Sequence, residues 1–284
     1  MFSVSCEWIY GQTWHDADQK RKELQQQNDY AGAIQYGEQA LKAASKNPGK
    51  TDTVYPYLLN AMLELNYFLG KYDKALGYGN KELQWRKKYS SKTETAYMGC
   101  LIDLAYVYVK LKKNLEAEAL IEECIDIAQV FDEKSNDRAG AYHRAGVVYR
   151  LTGNFEKAEH FMLAAVELRA ELFGEEHYDY ANSCNSLAVL YITTGDAQKL
   201  LQAETLLLRA IGVFEKHGSG YRQNYVTAVK NIAFLYSNSD LKYTRSKLAS
   251  IWELFYEAKG IGIASAKNKL ADAYMSISDY DVKP

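Results

Sequence analysis

Apolar residues recur every three to four positions along most of the chain, which is the spacing of helices that bury one face. The clearest stretch predicts one helix over about 137–151 and a second over about 155–172. In the second, Phe155, Ala158, Phe161, Met162, Ala165, Val166 and Leu168 share one broad face. Gly153 stands between the two, where a left-handed residue is needed to end a helix. Strand-type alternation does not run over any comparable length.

The same helix–glycine–helix unit recurs. "NYFLGKYDKALGY" (66–78), "YRLTGNFEKAEHF" (149–161) and "YITTGDAQKLLQAETL" (191–206) align on Gly70, Gly153 and Gly195. Two further copies carry Asn28 and Lys112 at that position, and a degraded one spans 236–252. One position in the second helix then reads Ala33, Ala75, Ala117, Ala158, Ala203 and Ala249, at spacings of 42, 42, 41, 45 and 46 residues. In the first helix a small residue precedes a tyrosine by three at Ala105/Tyr108, Gly146/Tyr149, Ala188/Tyr191 and Ala233/Tyr236. Helices approach closely only where side chains are small, so each unit is predicted to be an antiparallel pair. Helix A denotes the first member of a pair and helix B the second.

These residues resemble tetratricopeptide repeats, whose pattern is a small residue and an aromatic in helix A, a glycine turn, then alanine, aromatic and alanine in helix B. Gly146, Tyr149, Gly153, Ala158, Phe161 and Ala165 match it, as do Leu187, Ala188, Tyr191, Gly195, Ala203 and Ala210. The 42-residue period and "LFGEEHYDYANSCNSLAVLY" (172–191) resemble the kinesin light chain type of repeat. Tyr178 stands where that type usually has proline, and Ser186 replaces one asparagine. The resemblance implies an all-α, right-handed solenoid of about five to six helix pairs, with helix A lining a concave groove. It predicts an array over 14–258, an N-terminal extension over 1–13, and a capping helix and tail over 259–284, the helix itself at about 261–277.

Function in such an array belongs to helix A positions not used for packing. The register assigns the groove Tyr57, Asn60, Glu64 and Tyr67, then Ile102, Asp103, Tyr106 and Lys110. It continues with His143, Arg144 and Arg150, then Asn182, Asn185 and Val189, then Thr227, Lys230, Asn231 and Phe234. Asparagine carries both a donor and an acceptor and can pair with a peptide backbone. His143, Arg144 and Arg150 read as a basic centre suited to a carboxylate. The expected function is a non-catalytic module binding a peptide or partner protein. The alternative is the regulatory repeat module of a bacterial effector, such as one fused to or partnered with a caspase-like CHAT protease.

Composition changes little. Hydrophobic residues make up 48% and charged residues 25%, enough for a core and a wet surface. The net charge of −2 gives no electrostatic reason to expect nucleic acid or a membrane surface as partner. The basic run Gln19-Lys20-Arg21-Lys22 reads as a solvated helix face. The opening residues lack the form of a signal peptide, and no stretch reaches the roughly 18 apolar residues that span a bilayer. Cys6, Cys100, Cys124 and Cys184 form no CxxC pair, which points to a reduced, cytoplasmic setting.

Catalytic and cofactor chemistry find no support. There is no HExxH, phosphate-binding glycine loop or nucleophile elbow, and no cofactor or metal is expected. Glu175, Glu176, His177 and Cys184 superficially combine acid, base and nucleophile. The register instead puts the first three in a solvated inter-repeat loop and Cys184 in the core, matching Tyr142 and Leu101. His15-Asp16-Ala17-Asp18 reads as a helix start rather than a metal site.

Overall fold

A computed structural model describes residues 4–45, 53–91 and 95–238. Among them are eleven α-helices, one short 3-10 turn and no strand. The helices form two compact units. The first holds α1 (Val4–Gln26), α2 (Tyr30–Ala44), α3 (Val54–Phe68), α4 (Tyr72–Tyr89), α5 (Thr95–Lys110) and α6 (Asn114–Ala128). The second holds α7 (Asn136–Thr152), α8 (Phe155–Phe173), α9 (Tyr178–Thr194), α10 (Ala197–His217) and α11 (Arg222–Asn238). From α1 to α10 a helix packs chiefly on the other member of its own pair, and within each unit a helix B then meets the next helix A. The architecture is an all-α array of helix pairs. Ala249 and the helix expected at about 261–277 lie outside the described residues.

The turn between helices follows from the register. Asn28, Gly70, Lys112, Gly153 and Gly195 have φ of 63°, 70°, 61°, 92° and 71°. At the first four, the next backbone N–H reaches five residues back to close the helix end: Asp29 to Leu24, Lys71 to Asn66, Lys113 to Tyr108, and Asn154 to Tyr149. Lys112 has a Cβ in a region that disfavours one. Lys112→Gly is therefore expected to raise stability by about 1 kcal/mol. Urea melts check this, and an unchanged or lower midpoint would mean the turn is not strained.

The pairs close on small residues. Ala33, Ala75, Ala117, Ala158 and Ala203 are all completely buried. Ala105, Ala188 and Ala233 in helix A are also buried, and so are Tyr149, Tyr191 and Tyr236. One contact between the two helices of a pair shows a trade in volume. Seven residues before the turn, helix A carries Arg21, Leu63, Ala105, Gly146 and Ala188. The facing helix B positions carry Gly37, Gly79, Ile121, Met162 and Leu207. Where A is large, B is glycine; where A is small, B is large. A Cβ on Gly79 would come within 2.7 Å of Leu63 Cδ1, and one on Gly146 within 2.5 Å of Met162 Cγ. Gly37 faces Met62 and Arg21 in the same way.

The first pair departs from expectation. His15 to Asp18 sit within α1, not at its start, because the helix already runs from Val4. The basic run is not a uniformly solvated face: Arg21 is 4% exposed and Asp18 2%. Arg21 Nε donates to Asp18 Oδ1 at 2.7 Å and Nη2 to Tyr57 Oη at 2.9 Å. Gly37 gives the space for this arginine stem. A buried charge is tolerated only when paired and hydrogen-bonded, which this one is.

Candidate functional site

In the first unit, helix A residues of α3 and α5 enclose a cleft of about 300 Å³. Leu63, Glu64, Tyr67, Phe68, Asp103 and Tyr106 line it. Four of these, Glu64, Tyr67, Asp103 and Tyr106, are register-predicted groove residues. Asn60 Nδ2 donates to Asp103 Oδ2 at 2.9 Å and fixes that carboxylate. Lys110 Nζ lies 5.9 Å from the centre of the Tyr67 ring. Burial, and then the neighbouring Asp103 charge, push the Glu64 carboxyl above its usual range. Tyr57 closes the Arg21–Asp18 network. Ile102 is a correction: at 4% exposure it belongs to the core, as an aliphatic side chain packed on neighbouring helices does. Phe68, exposed and stacked on Tyr30 with ring centres 6.0 Å apart, was not assigned to the groove. It follows Tyr67 directly, and helix periodicity alone turns it away from the predicted face.

The second unit brings α7, α9 and α11 together differently. His143 Nδ1 lies 3.2 Å from Ser183 Oγ, and its Nε2 3.5 Å from Ser186 Oγ. Ser183 also accepts from Arg169 Nη1 at 2.8 Å, and the same nitrogen donates to the Asp179 carbonyl at 3.0 Å. Arg169, on helix B, is the centre of this buried network, and no groove register includes it. Burial pushes the His143 imidazole down to about 3, and the Arg169 and Arg144 charges add to that. His143 is therefore neutral, and it corrects the expected basic centre: exposed Arg144 carries positive charge there, whereas His143 contributes hydrogen bonds. Arg150 is partly buried nearer the end of α7.

The neutral histidine sets a pH dependence. The unfolded chain takes up a proton at His143 near pH 6.5, whereas the folded chain does so only near its lowered value. Stability should thus fall as pH drops below about 6.5, by up to about 1.4 kcal/mol per pH unit from this group. Between pH 7 and 5, the loss in denaturant melts should be smaller in His143→Gln by roughly 2 kcal/mol. Equal losses in both proteins would assign the effect elsewhere.

Asn185 is buried, and its Oδ1 accepts from Asn231 Nδ2 at 2.9 Å, so this amide pair ties α9 to α11. Asn182 and Val189 are partly buried; Lys230 is exposed. The Thr227 hydroxyl donates to the Gln223 carbonyl on its own helix at 2.8 Å. The Phe234 ring is 57% exposed.

The residues that superficially combine acid, base and nucleophile each have a structural role. Cys184 is completely buried, and burial pushes its thiol up to about 11, where little nucleophilic thiolate forms. His177 Nδ1 accepts from the Asp179 N–H at 3.2 Å and caps α9. Glu175 pairs with Arg209 at 3.0 Å and Glu176 with Lys216. Tyr178, where proline is usual, stacks on Tyr221 with ring centres 4.7 Å apart. Among the described residues no group of His, Cys, Asp and Glu could hold a metal, and no helix is long and apolar enough to cross a membrane.

Helix pairs that meet on small residues, turn through a left-handed residue and repeat at about 42 positions define a helical-repeat protein. Residues 93–169 and 137–216 match the tetratricopeptide repeat family, so this part of the chain carries tetratricopeptide repeats. No curated protein matches it. Among solved structures it is similar to a Podosopora anserina protein of kinesin light chain type with nearly identical TPR-like repeats. That match has 18% identity over 72% of this chain and 95% of the other, with a TM-score of 0.60. It is similar to BtubC (BKLC) from P. vanneervenii, at 17% identity over 97% and 93% of the two chains, with a TM-score of 0.52. A Rap protein complexed with Competence and Sporulation Factor shares 15% identity over 92% of this chain and 77% of its own, with a TM-score of 0.60. These likenesses show a common fold. Repeats of this kind generally serve as non-catalytic scaffolds for protein–protein interaction.

Proposed function

We propose that the chain is a non-catalytic scaffold that holds an extended peptide segment of a partner protein against its helix A faces. The observation that carries this reading is the α3/α5 cleft, whose lining comes wholly from helix A residues and mixes aromatic rings with carboxylates. Such a mixture suits peptide side chains, because rings supply area at low entropic cost and charges fix orientation. The Rap relative, solved with Competence and Sporulation Factor, is consistent with ligand capture by this fold. In the second unit Arg144, Asn182 and Phe234 offer a charge, an amide and an apolar ring from α7, α9 and α11.

Tyr106→Ala and Phe234→Ala are each expected to weaken partner binding by on the order of tenfold, without moving the melting midpoint. Calorimetry against the partner recovered from the native host checks this. Unchanged affinity in both variants would contradict binding through helix A.

A further inference from the structure

The buried charges of the first pair lead to one exposed ring. On its own helix Arg21 bonds to Asp18 and Gln25. Among the described residues its only hydrogen bond to another helix goes to Tyr57 Oη on α3. Tyr57 Oη donates in turn to Asp18 Oδ2 at 3.3 Å. The Tyr57 ring is nonetheless 41% exposed, at a groove position of helix A. A buried ion pair adds little stability compared with apolar side chains of similar volume. The corresponding helix A positions hold Leu63, Ala105, Gly146 and Ala188, so the repeat does not need a charge there. What Arg21 and Asp18 accomplish is to fix one aromatic ring by its hydroxyl end.

Beside this ring α5 leaves room. The 2.9 Å bond from Asn60 to Asp103 sets α3 against α5. One turn earlier on each helix stand Tyr57 and Gly99. Both occupy the same repeat position, counted back from the turn residues Gly70 and Lys112. Tyr57 reaches toward α1 through its hydroxyl, and α5 offers no side chain at this position. Gly99 lies inside α5, where glycine costs stability relative to alanine. Neither packing nor conformation demands it: a Cβ there would meet nothing within 4 Å, and its φ is not left-handed.

We propose that the slot between the Tyr57 ring and Gly99 receives a large apolar side chain of the bound peptide, with Arg21 and Asp18 as positioning residues that hold the ring. A ring already fixed loses no rotamer freedom on binding, and bare backbone opposite it lets a bulky group approach. Apolar area covered between them supplies the affinity. The neighbouring charges are satisfied, since Asp18 pairs with Arg21 at 2.7 Å and with Lys22 at 2.9 Å. A charged ligand group would lose water there without gaining a partner. The slot is one part of the helix A surface proposed above and rests on that reading.

A phage-displayed library of short random peptides is panned on the immobilised full chain, and synthetic copies of enriched sequences are measured by calorimetry. Enriched peptides should share a large apolar residue at one position. Replacing it by serine should weaken binding by on the order of tenfold. Gly99→Leu fills the slot and should weaken the parent peptide by a similar factor. In that variant the serine peptide and its parent should bind alike, because the side chain has lost its place. The melting midpoint of Gly99→Leu should stay equal or rise, since a helical glycine is replaced in open space. Arg21→Met combined with Asp18→Leu should weaken the parent peptide by roughly threefold, but should cost nothing further when Tyr57→Ala is already present. An unchanged affinity in that pair of substitutions would overturn the positioning role.

Peptides that lose affinity in Tyr106→Ala yet bind Gly99→Leu as well as wild type would overturn the slot and leave binding through helix A standing. A lower melting midpoint in Gly99→Leu would mean that the space is not open, and would overturn the slot as well. Failure to enrich any peptide, or enriched peptides indifferent to both Tyr106→Ala and Gly99→Leu, would overturn the slot and the groove together.

Discussion

Gly146→Leu should lower the stability of the protein by about 3 kcal/mol, the upper end of what overpacking costs. The reason is the approach of α7 to α8. A Cβ at Gly146 would stand 2.5 Å from Met162 Cγ, 3.1 Å from the Ala158 carbonyl oxygen and 3.2 Å from the Met162 nitrogen. Two of those three atoms are backbone, so a rotamer change in Met162 does not relieve the crowding. Ala158, completely buried at the same contact, would have to withdraw with its helix. The third pair of the first unit already carries a Cβ at the equivalent position, Ala105, which is completely buried.

The volume trade supplies a second half to this prediction. Leu63 faces Gly79 in the α3/α4 pair, so a leucine in helix A is acceptable when helix B yields. Adding Met162→Gly to Gly146→Leu should recover part of the loss, with a coupling of roughly 1 to 2 kcal/mol between the two sites. Denaturant melts of the two single variants and the double variant give that coupling. Purely additive losses would mean that the two positions do not share one space.

Arg169→Met should cost about 3 kcal/mol, for a different reason. Its guanidinium is buried and serves the Asp179 carbonyl, the Ser183 hydroxyl and, at 3.8 Å, the Asp179 carboxylate. Methionine fills similar space but donates nothing. The substitution leaves Asp179 without its cation and Ser183 without its charged donor, and breaking a buried pair from one side is expensive. One observation moderates the loss: Arg169 Nε meets no hydrogen-bonding partner among the described residues, so part of the desolvation cost is uncompensated already. The same variant should raise the pKa of His143, because a repelling charge disappears, yet leave it below the ordinary value, because burial is the larger cause. Proton NMR titration of the imidazole follows this directly. An unmoved His143 together with an unchanged melt would show that Arg169 does not organise the network.

Much of this arrangement is legible in the sequence because two kinds of position tolerate few residues. The alanine of helix B must be small, and every described member of that series is buried. The turn residue must adopt a left-handed conformation, and all five positions aligned on glycine do, including Asn28 and Lys112. Misreadings arise where two helices share one constraint. In the first two pairs the small residue has moved from helix A to helix B, as Gly37 and Gly79, and a pattern read one helix at a time misses it. Arg21 then looks like one more solvated lysine-type residue, although its partner Asp18 is only three positions away.

The groove was less legible than the core. A helical register places a residue on a face, but it does not say how deep the face lies. Ile102 and Asn185 sit at groove positions and are nonetheless buried, one by apolar packing and one by the amide bond to Asn231. His143 could be located but its charge could not, because that depends on Arg169 from a different helix. Glu64, Tyr67, Asp103 and Tyr106 share a cleft because they come from neighbouring helix A elements, α3 and α5, as their register positions imply.

Site-specific photo-crosslinking tests binding through helix A most directly. A benzophenone amino acid placed at Tyr106 or Phe234, on α5 and α11, is compared with one at Leu115 or Leu208, exposed on the helix B elements α6 and α10. In the native host, positions 106 and 234 should each give a covalent adduct with the partner, and positions 115 and 208 should give none. Adducts from 115 and 208 with none from 106 and 234 would contradict it and place the partner on helix B.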